Sequence, residues 1–178
     1  MSPLTLSAQS KPQLQPGKAG VPSVLVEMLK QEIADSDSAD RCESSLARNF
    51  EIKAIDLNRD SIPEYVVHGR GMCFCSATGN CWFSIYHRTK GLLEPLLETD
   101  GVQLFKFANS VSNGYRDLFT WIHGSAFDSE RRLFRFDGSR YQLMACWEES
   151  YSYLDTQGKE HILKQPRITP LACGPDQE

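Results

Sequence analysis

The period of apolar and polar positions changes along this chain. Val24, Leu25, Met28, Leu29 and Ile33 recur at helical spacing, with Glu27, Lys30 and Gln31 between them. This predicts one amphipathic helix over 22–35, with Pro22 in a first turn where its missing N–H costs nothing. Before it, residues 1–20 are rich in Ser, Gln, Pro, Lys and Gly and read as a disordered tail. Ser36 to Asp40 reads as a polar link. After Cys42, short aromatic and β-branched runs alternate with turn residues, which is strand chemistry. The expected strands are Phe50–Ile55, Glu64–His68, Cys81–Arg88, Leu92–Leu97, Val102–Ala108, Asp117–His123, Arg132–Phe136 and Tyr141–Trp147. Asp137-Gly138 marks a hairpin, and Thr89-Lys90-Gly91 another.

A shift of about 53 residues lays one half of this region on the other, the kind of period that marks duplicated units. Ile52-Lys53-Ala54-Ile55-Asp56 falls on Phe105-Lys106-Phe107-Ala108-Asn109, Asp60 on Asn113, Ser61 on Gly114 and Glu64 on Asp117. The expected organisation is one domain over 21–178. It holds the helix, a first unit at 50–98, a second at 102–147, and a C-terminal extension at 148–178. The fold class expected is mainly β (α+β): an antiparallel sheet, small sandwich or partial barrel built from two related units, with one N-terminal helix. Two units cannot close a propeller, whose usual count is four to eight blades.

With 178 residues, 40% of them hydrophobic, the chain can bury one real core. Its net charge of −4, without basic runs, argues against nucleic acid as the main partner. No apolar run approaches the roughly 20 residues that span a bilayer, so no transmembrane segment is expected. Six cysteines (Cys42, Cys73, Cys75, Cys81, Cys146 and Cys173) point to disulfides and an oxidising compartment, periplasmic or secreted. Met1 to Ser10 is no intact signal peptide; export then implies a leader already removed, and the alternative is a cytosolic protein with reduced thiols. The pairing expected is Cys73–Cys81, Cys42–Cys75 and Cys146–Cys173, each bridge contributing about 2–4 kcal/mol.

The densest chemistry lies in Asp56-Leu-Asn-Arg-Asp-Ser-Ile-Pro-Glu64. Oxygen-bearing side chains fall at its first, third, fifth and ninth positions, which suits a hard cation wanting six to eight oxygens. Asp56, Asn58 and Asp60 supply three groups, the carbonyl of Ile62 a fourth, and Glu64 one or two more. Calcium is the natural guest and its role structural; Arg59 is expected to point outward. The competing reading is a solvated turn, since Asp and Asn also bond their own backbone.

This loop resembles the calcium loops of FG-GAP repeats, the integrin-type propeller blades and their bacterial VCBS-like relatives. Their pattern, Asp-x-Asp/Asn-x-Asp-Gly-x-x-Asp/Glu between two strands, maps onto Asp56, Asn58, Asp60 and Glu64. Ser61 stands where that family has Gly, so a less permissive residue must make the sharp turn. An EF-hand fits worse, because its bidentate Glu would fall at Val67. The second loop keeps Asn109, Asn113 and Asp117, has Val111 at its third position, and reads as a plain turn.

Other chemistry is sparser. His123-Gly124-Ser125 and His68-Gly69 each end a strand, and no Gly-x-Ser-x-Gly elbow is present. His68, Cys73, Cys75, Cys81 and His87 lack the spacing of structural zinc sites. Tyr86, Trp82, Trp121, Phe134, Phe136, Tyr141 and Trp147 could form an aromatic platform, though strand packing uses most aromatics. Tyr151 and Tyr153 are expected beyond the last strand, exposed. The function expected is an exported binding module, steadied by calcium and disulfides, that recognises a protein or glycan at the cell envelope, an inhibitor or immunity-type protein among the options. The alternatives are an envelope-polymer hydrolase using His123 or His68, and a cytosolic interaction domain with free thiols.

Overall fold

The computed structural model describes residues 20–36, 39–89 and 91–174. The tail expected over 1–20 lies outside them except for Gly20, as do Asp37 and Ser38 of the polar link and Lys90 of the expected Thr89–Gly91 turn. The fold is mainly β, with 57% of the described residues in strands and 16% in helices, in two antiparallel sheets curled into a half-barrel. The first sheet is a meander of β1 (Phe50–Ile55), β2 (Glu64–Gly69), β3 (Cys81–Thr89) and β4 (Leu92–Val102). The second follows after one residue, Gln103: β5 (Leu104–Ser112), β6 (Tyr115–His123), β7 (Asp128–Phe136), β8 (Tyr141–Leu154) and β9 (Glu160–Leu171). Helix α1 (Ser23–Asp35) precedes them, with Pro22 as its extended N-cap residue. Two single-turn helices, α2 (Leu46–Asn49) and α3 (Gly71–Phe74), and a 3-10 turn at Ala39–Arg41 flank β1 and β2.

Period-two patterning explains why the sheets bury both faces of β2 and β3. Val66, Phe83, Ile85, Leu96 and Leu97 turn inward and meet Leu118, Phe134, Phe136 and Tyr141 of the second sheet in one core. The alternate residues Phe50, Tyr65, Val67 and Tyr86 turn outward and are covered by Leu25 and Leu29 of α1. Both leucines are completely buried, whereas Val24, expected on the same stripe, is 40% exposed. The β7–β8 hairpin turns at Gly138, with φ 113°, and Asp137 Oδ1 accepts from the N–H groups of Ser139 and Arg140.

Two expectations need correction. First, there are nine strands among the described residues: β8 runs on past Trp147, and the C-terminal extension supplies β9 at the edge of the second sheet. Pro166 and Pro170 hid it; an edge strand tolerates proline and gains protection from stray pairing by carrying it. Tyr151 and Tyr153 therefore lie within β8, and Tyr153 stacks on His161 with centroids 5.1 Å apart. Second, the disulfides are Cys42–Cys73, Cys75–Cys81 and Cys146–Cys173, so only the last expected pair stands. Cys75 and Cys81 sit opposite one another in an antiparallel bridge closed by the Ser76–Asn80 turn, which leaves Cys73 on α3 to face Cys42. The one N-terminal helix expected is α1, and α2, α3 and the 3-10 turn add single turns beside the first sheet. No helix among the described residues is long and apolar enough to cross a membrane.

Candidate functional sites

The Asp56–Glu64 loop is the β1–β2 connection, and buried Leu57 pins it to the main core. The backbone N–H of Arg116 donates to Leu57 O at 3.0 Å, fastening the loop to the second sheet. Within it, Asp56 Oδ1 accepts from Arg59 N at 2.6 Å and Oδ2 from Ser61 N at 3.0 Å. Asn58 Oδ1 accepts from Asp60 N, and Asp60 Oδ1 from Ile62 N at 2.7 Å. Asn58 Nδ2 donates to Asp60 Oδ2 at 3.0 Å. Arg59 and Ser61 both adopt left-handed backbone, φ 65° and 69°, so Ser61 does take the conformation for which glycine is the usual residue. Arg59 is exposed and pairs with none of the three carboxylates.

Glu64 differs from its loop partners. It is 2% exposed, and its Oε2 accepts from Leu57 N at 2.8 Å while Tyr115 Oη–H lies 3.5 Å from Oε1. Burial raises its carboxyl above the usual range, the Leu57 N–H pulls the other way, and the charges of Asp60 and Asp56 add to the rise. The donor set, three carboxylates and an amide oxygen, is hard-cation chemistry. The side chains nevertheless bond their own backbone, and among the described residues no three His, Cys, Asp or Glu gather closely enough to hold a metal. In the second sheet Asp117 is also 2% exposed, accepting from Ser110 Oγ at 2.7 Å, with Oδ1 unpartnered among the described residues.

The outward face of the second sheet holds a cluster that only the strand register makes visible. Phe119 opposes Leu133, Trp121 opposes Arg131, and Arg131 opposes Trp147. These side chains therefore share the face that points away from Leu118 and Phe134. The Arg131 guanidinium lies 4.8 Å from the Trp147 ring centroid and 5.7 Å from that of Phe119. Buried Glu149 joins Arg131 Nη1 at 2.9 Å and accepts from Trp121 Nε1 at 3.0 Å. Arg131 Nε–H has no hydrogen-bond partner among the described residues. The helices pack on each other and on the first sheet, and none among the described residues covers this face. Trp121 and Trp147 were legible as aromatics, and Glu149 only as part of an acidic end with Glu148 and Asp155; the places of Phe119 and Arg131 beside them were not. The only signal for Phe119 and Arg131 was alternation along 117–123 and 129–135.

The remaining candidates resolve into structural roles. Tyr86, Phe134, Phe136 and Tyr141 are buried core residues. His68 Nε2 meets Val102 O at 2.8 Å, and its ring lies edge-on to Phe83 and Phe105. The backbone N–H and C=O of His123 are both held by the Asn80 amide, a clasp between the sheets. Cys73, Cys75 and Cys81 are all bridged and supply no thiolate to zinc; no described cysteine is free. No protein-family model matches the chain, no curated protein matches it, and no solved structure matches it.

Proposed function

We propose that this protein is an exported binding module that recognises a protein or glycan at the cell envelope through the outward face of its second sheet. One observation carries the reading: Trp121, Trp147 and Phe119 are fixed around the Arg131–Glu149 pair on a face that no described helix covers. Aromatic and arginine side chains held rigidly by their neighbours are the commonest binding anchors. Three disulfides with no free cysteine among the described residues fit an oxidising compartment and argue against the free-thiol alternative. His68 Nε2 is taken up by the Val102 carbonyl, which is no nucleophile, so the hydrolase alternative has no support there. Inhibitor and immunity-type proteins belong to the class proposed. The test is retention of a partner from an envelope extract by the immobilised protein. Retention that survives Trp147→Ala sinks the reading.

Calcium at Asp56, Asn58, Asp60, the Ile62 carbonyl and Glu64 belongs to the same proposal, as a structural ion of the FG-GAP-like loop. Its support is electrostatic. A buried Glu64 stands near two further carboxylates with no cationic side chain paired to them among the described residues, and a divalent ion would relieve that repulsion. Millimolar calcium should raise the melting temperature, the stabilisation reaching about 2.7 kcal/mol at a hundredfold excess over the dissociation constant. Asp60→Ala should abolish the rise; an unchanged wild-type melting point removes calcium from the proposal.

A further inference from the structure

The first sheet's clipped end carries a groove of about 610 Å³, within the range of small-ligand clefts. It is lined by Arg41, Met72, Phe74, Thr78, Trp82 and Asp100, with the bridged cysteines Cys73, Cys75 and Cys81 between them. Two disulfides, Cys42–Cys73 and Cys75–Cys81, hold nearly all of this wall. Apart from Thr78, Asp100 and Gly101, every lining residue is a bridged cysteine or its immediate neighbour in sequence. The groove is thus preorganised, which lowers the entropic cost of binding.

Its surface is of two kinds. Met72 is 72% exposed, and Phe74 and Trp82 are partly exposed beside it, so apolar surface faces the opening. Arg41 and Asp100 are both exposed, of opposite sign, and neither is ion-paired among the described residues. Most cationic side chains on the first sheet and its flanking helices do have a carboxylate partner: Lys30 with Glu27, Arg48 with Glu43, Lys53 and Arg70 with Glu51. A groove that offers a guanidinium, a carboxylate and a thioether–aromatic floor complements one chemistry in particular.

We propose that this groove binds a short zwitterionic peptide. Its terminal carboxylate pairs with the Arg41 guanidinium, whose planar fork suits a carboxylate. Its terminal ammonium meets Asp100, and an aromatic side chain packs on Met72 and Trp82, where sulfur–ring contact adds to burial. None of these residues belongs to the second sheet's outward face, so this site stands or falls separately from the function proposed above.

The probe is the tripeptide Ala-Phe-Ala titrated into the whole disulfide-bonded protein, with the three tryptophan indole N–H resonances followed by NMR. Saturable shifts are expected at Trp82 and not at Trp121 or Trp147. N-acetylation or C-amidation of the peptide should each weaken binding about tenfold, as loss of one charge-assisted contact requires. Arg41→Gln should erase the penalty of amidation, and Asp100→Asn that of acetylation. Both positions are exposed, and an unchanged indole spectrum of the free variant verifies that it is folded. Equal affinity for capped and free peptides, shifts centred on Trp121 or Trp147, or no saturation by about 10 mM peptide overturns the proposal.

Discussion

The two sheets bury their inward faces in a common core, but they solve their outward faces differently. The first sheet presents aliphatic and aromatic side chains outward and requires a lid; α1 lays Leu25 and Leu29 over Phe50, Tyr65, Val67 and Tyr86. The second sheet presents side chains that cover one another. Arg131 lies between the Phe119 and Trp147 rings, and Glu149 neutralises it from within the same layer. A guanidinium with its charge compensated and its faces against rings can cover apolar surface and still present polar edges to solvent. A face sealed by a helix is committed to stability. A face sealed by its own amphipathic side chains stays open to a partner, which is why the binding reading rests on the second sheet.

The largest expected effect tests the sealed face. Leu29 is completely buried between α1 and the first sheet. Leu29→Ala should cost about 2–5 kcal/mol, as truncation of a fully buried leucine does. Urea unfolding measures it directly, and a loss below about 1 kcal/mol would mean that α1 contributes little as a lid. The self-covered face should yield less. Glu149→Ala leaves the Arg131 guanidinium, whose side chain is 24% exposed, without its counter-charge. Water reaches it in part, so a loss of about 2 kcal/mol is expected rather than the full value for a buried pair. Replacing both partners, Arg131→Met with Glu149→Leu, should recover most of that loss if the pair serves to cover the sheet. No recovery would mean that the charges themselves stabilise the fold.

The same contrast marks how far the sequence could be read. Strand positions were legible because period two is local: Phe50–Ile55 and the starts of β2, β3 and β4 coincide with expectation. Alternation says which residues share a face, but not which face receives a helix. That depends on chain connectivity, and so the Phe119–Arg131–Trp147 cluster was invisible. Cysteine pairing failed for a similar reason. Cys73 and Cys75 are two apart, and only the α3 turn decides which of them faces Cys42 and which Cys81. In the loop, the expected outward Arg59 and the unusual turn at Ser61 are both found. The inward rotation of Glu64 onto Leu57 N–H was not foreseen, because it depends on Leu57 being anchored in a core that both sheets build.

That loop joins two strands of the first sheet and is fastened to the second, and its strain gives a smaller effect. Ser61 holds φ 69°, a left-handed conformation that disfavours a side chain. Ser61→Gly should relieve about 1–2 kcal/mol, partly offset by about 0.5–1 kcal/mol for the greater freedom of glycine in the unfolded chain. A net gain of a few tenths to about 1 kcal/mol is expected, read as a higher melting temperature. A lower one would show that the serine side chain does something the backbone conformation does not reveal.

The smallest effect lies at the rim of α1 and gives the sealed face a pH dependence. Glu32 is exposed, yet its carboxyl is raised above the ordinary 4.5 by desolvation first, then by the charges of Glu98 and Asp35. Glu98 is held in place by Tyr86, whose hydroxyl donates to Oε1 at 3.2 Å, and Asp35 accepts from the Gln31 amide. A folded-state value above the unfolded one means that the native protein keeps a proton the unfolded chain has already released. Stability from this group is therefore fully present below the ordinary glutamate value and is lost as pH rises through the raised one. Glu32→Gln removes the titration. The variant and the wild type should be equally stable near pH 4, and the variant should be more stable at pH 7, by no more than a few tenths of a kcal/mol given solvent screening. Paired urea titrations at the two pH values read that difference. If Glu32→Gln lowers stability at neutral pH, the Glu32 carboxylate is helping to hold the helix down, and the repulsion inferred at this rim is not what limits the lid.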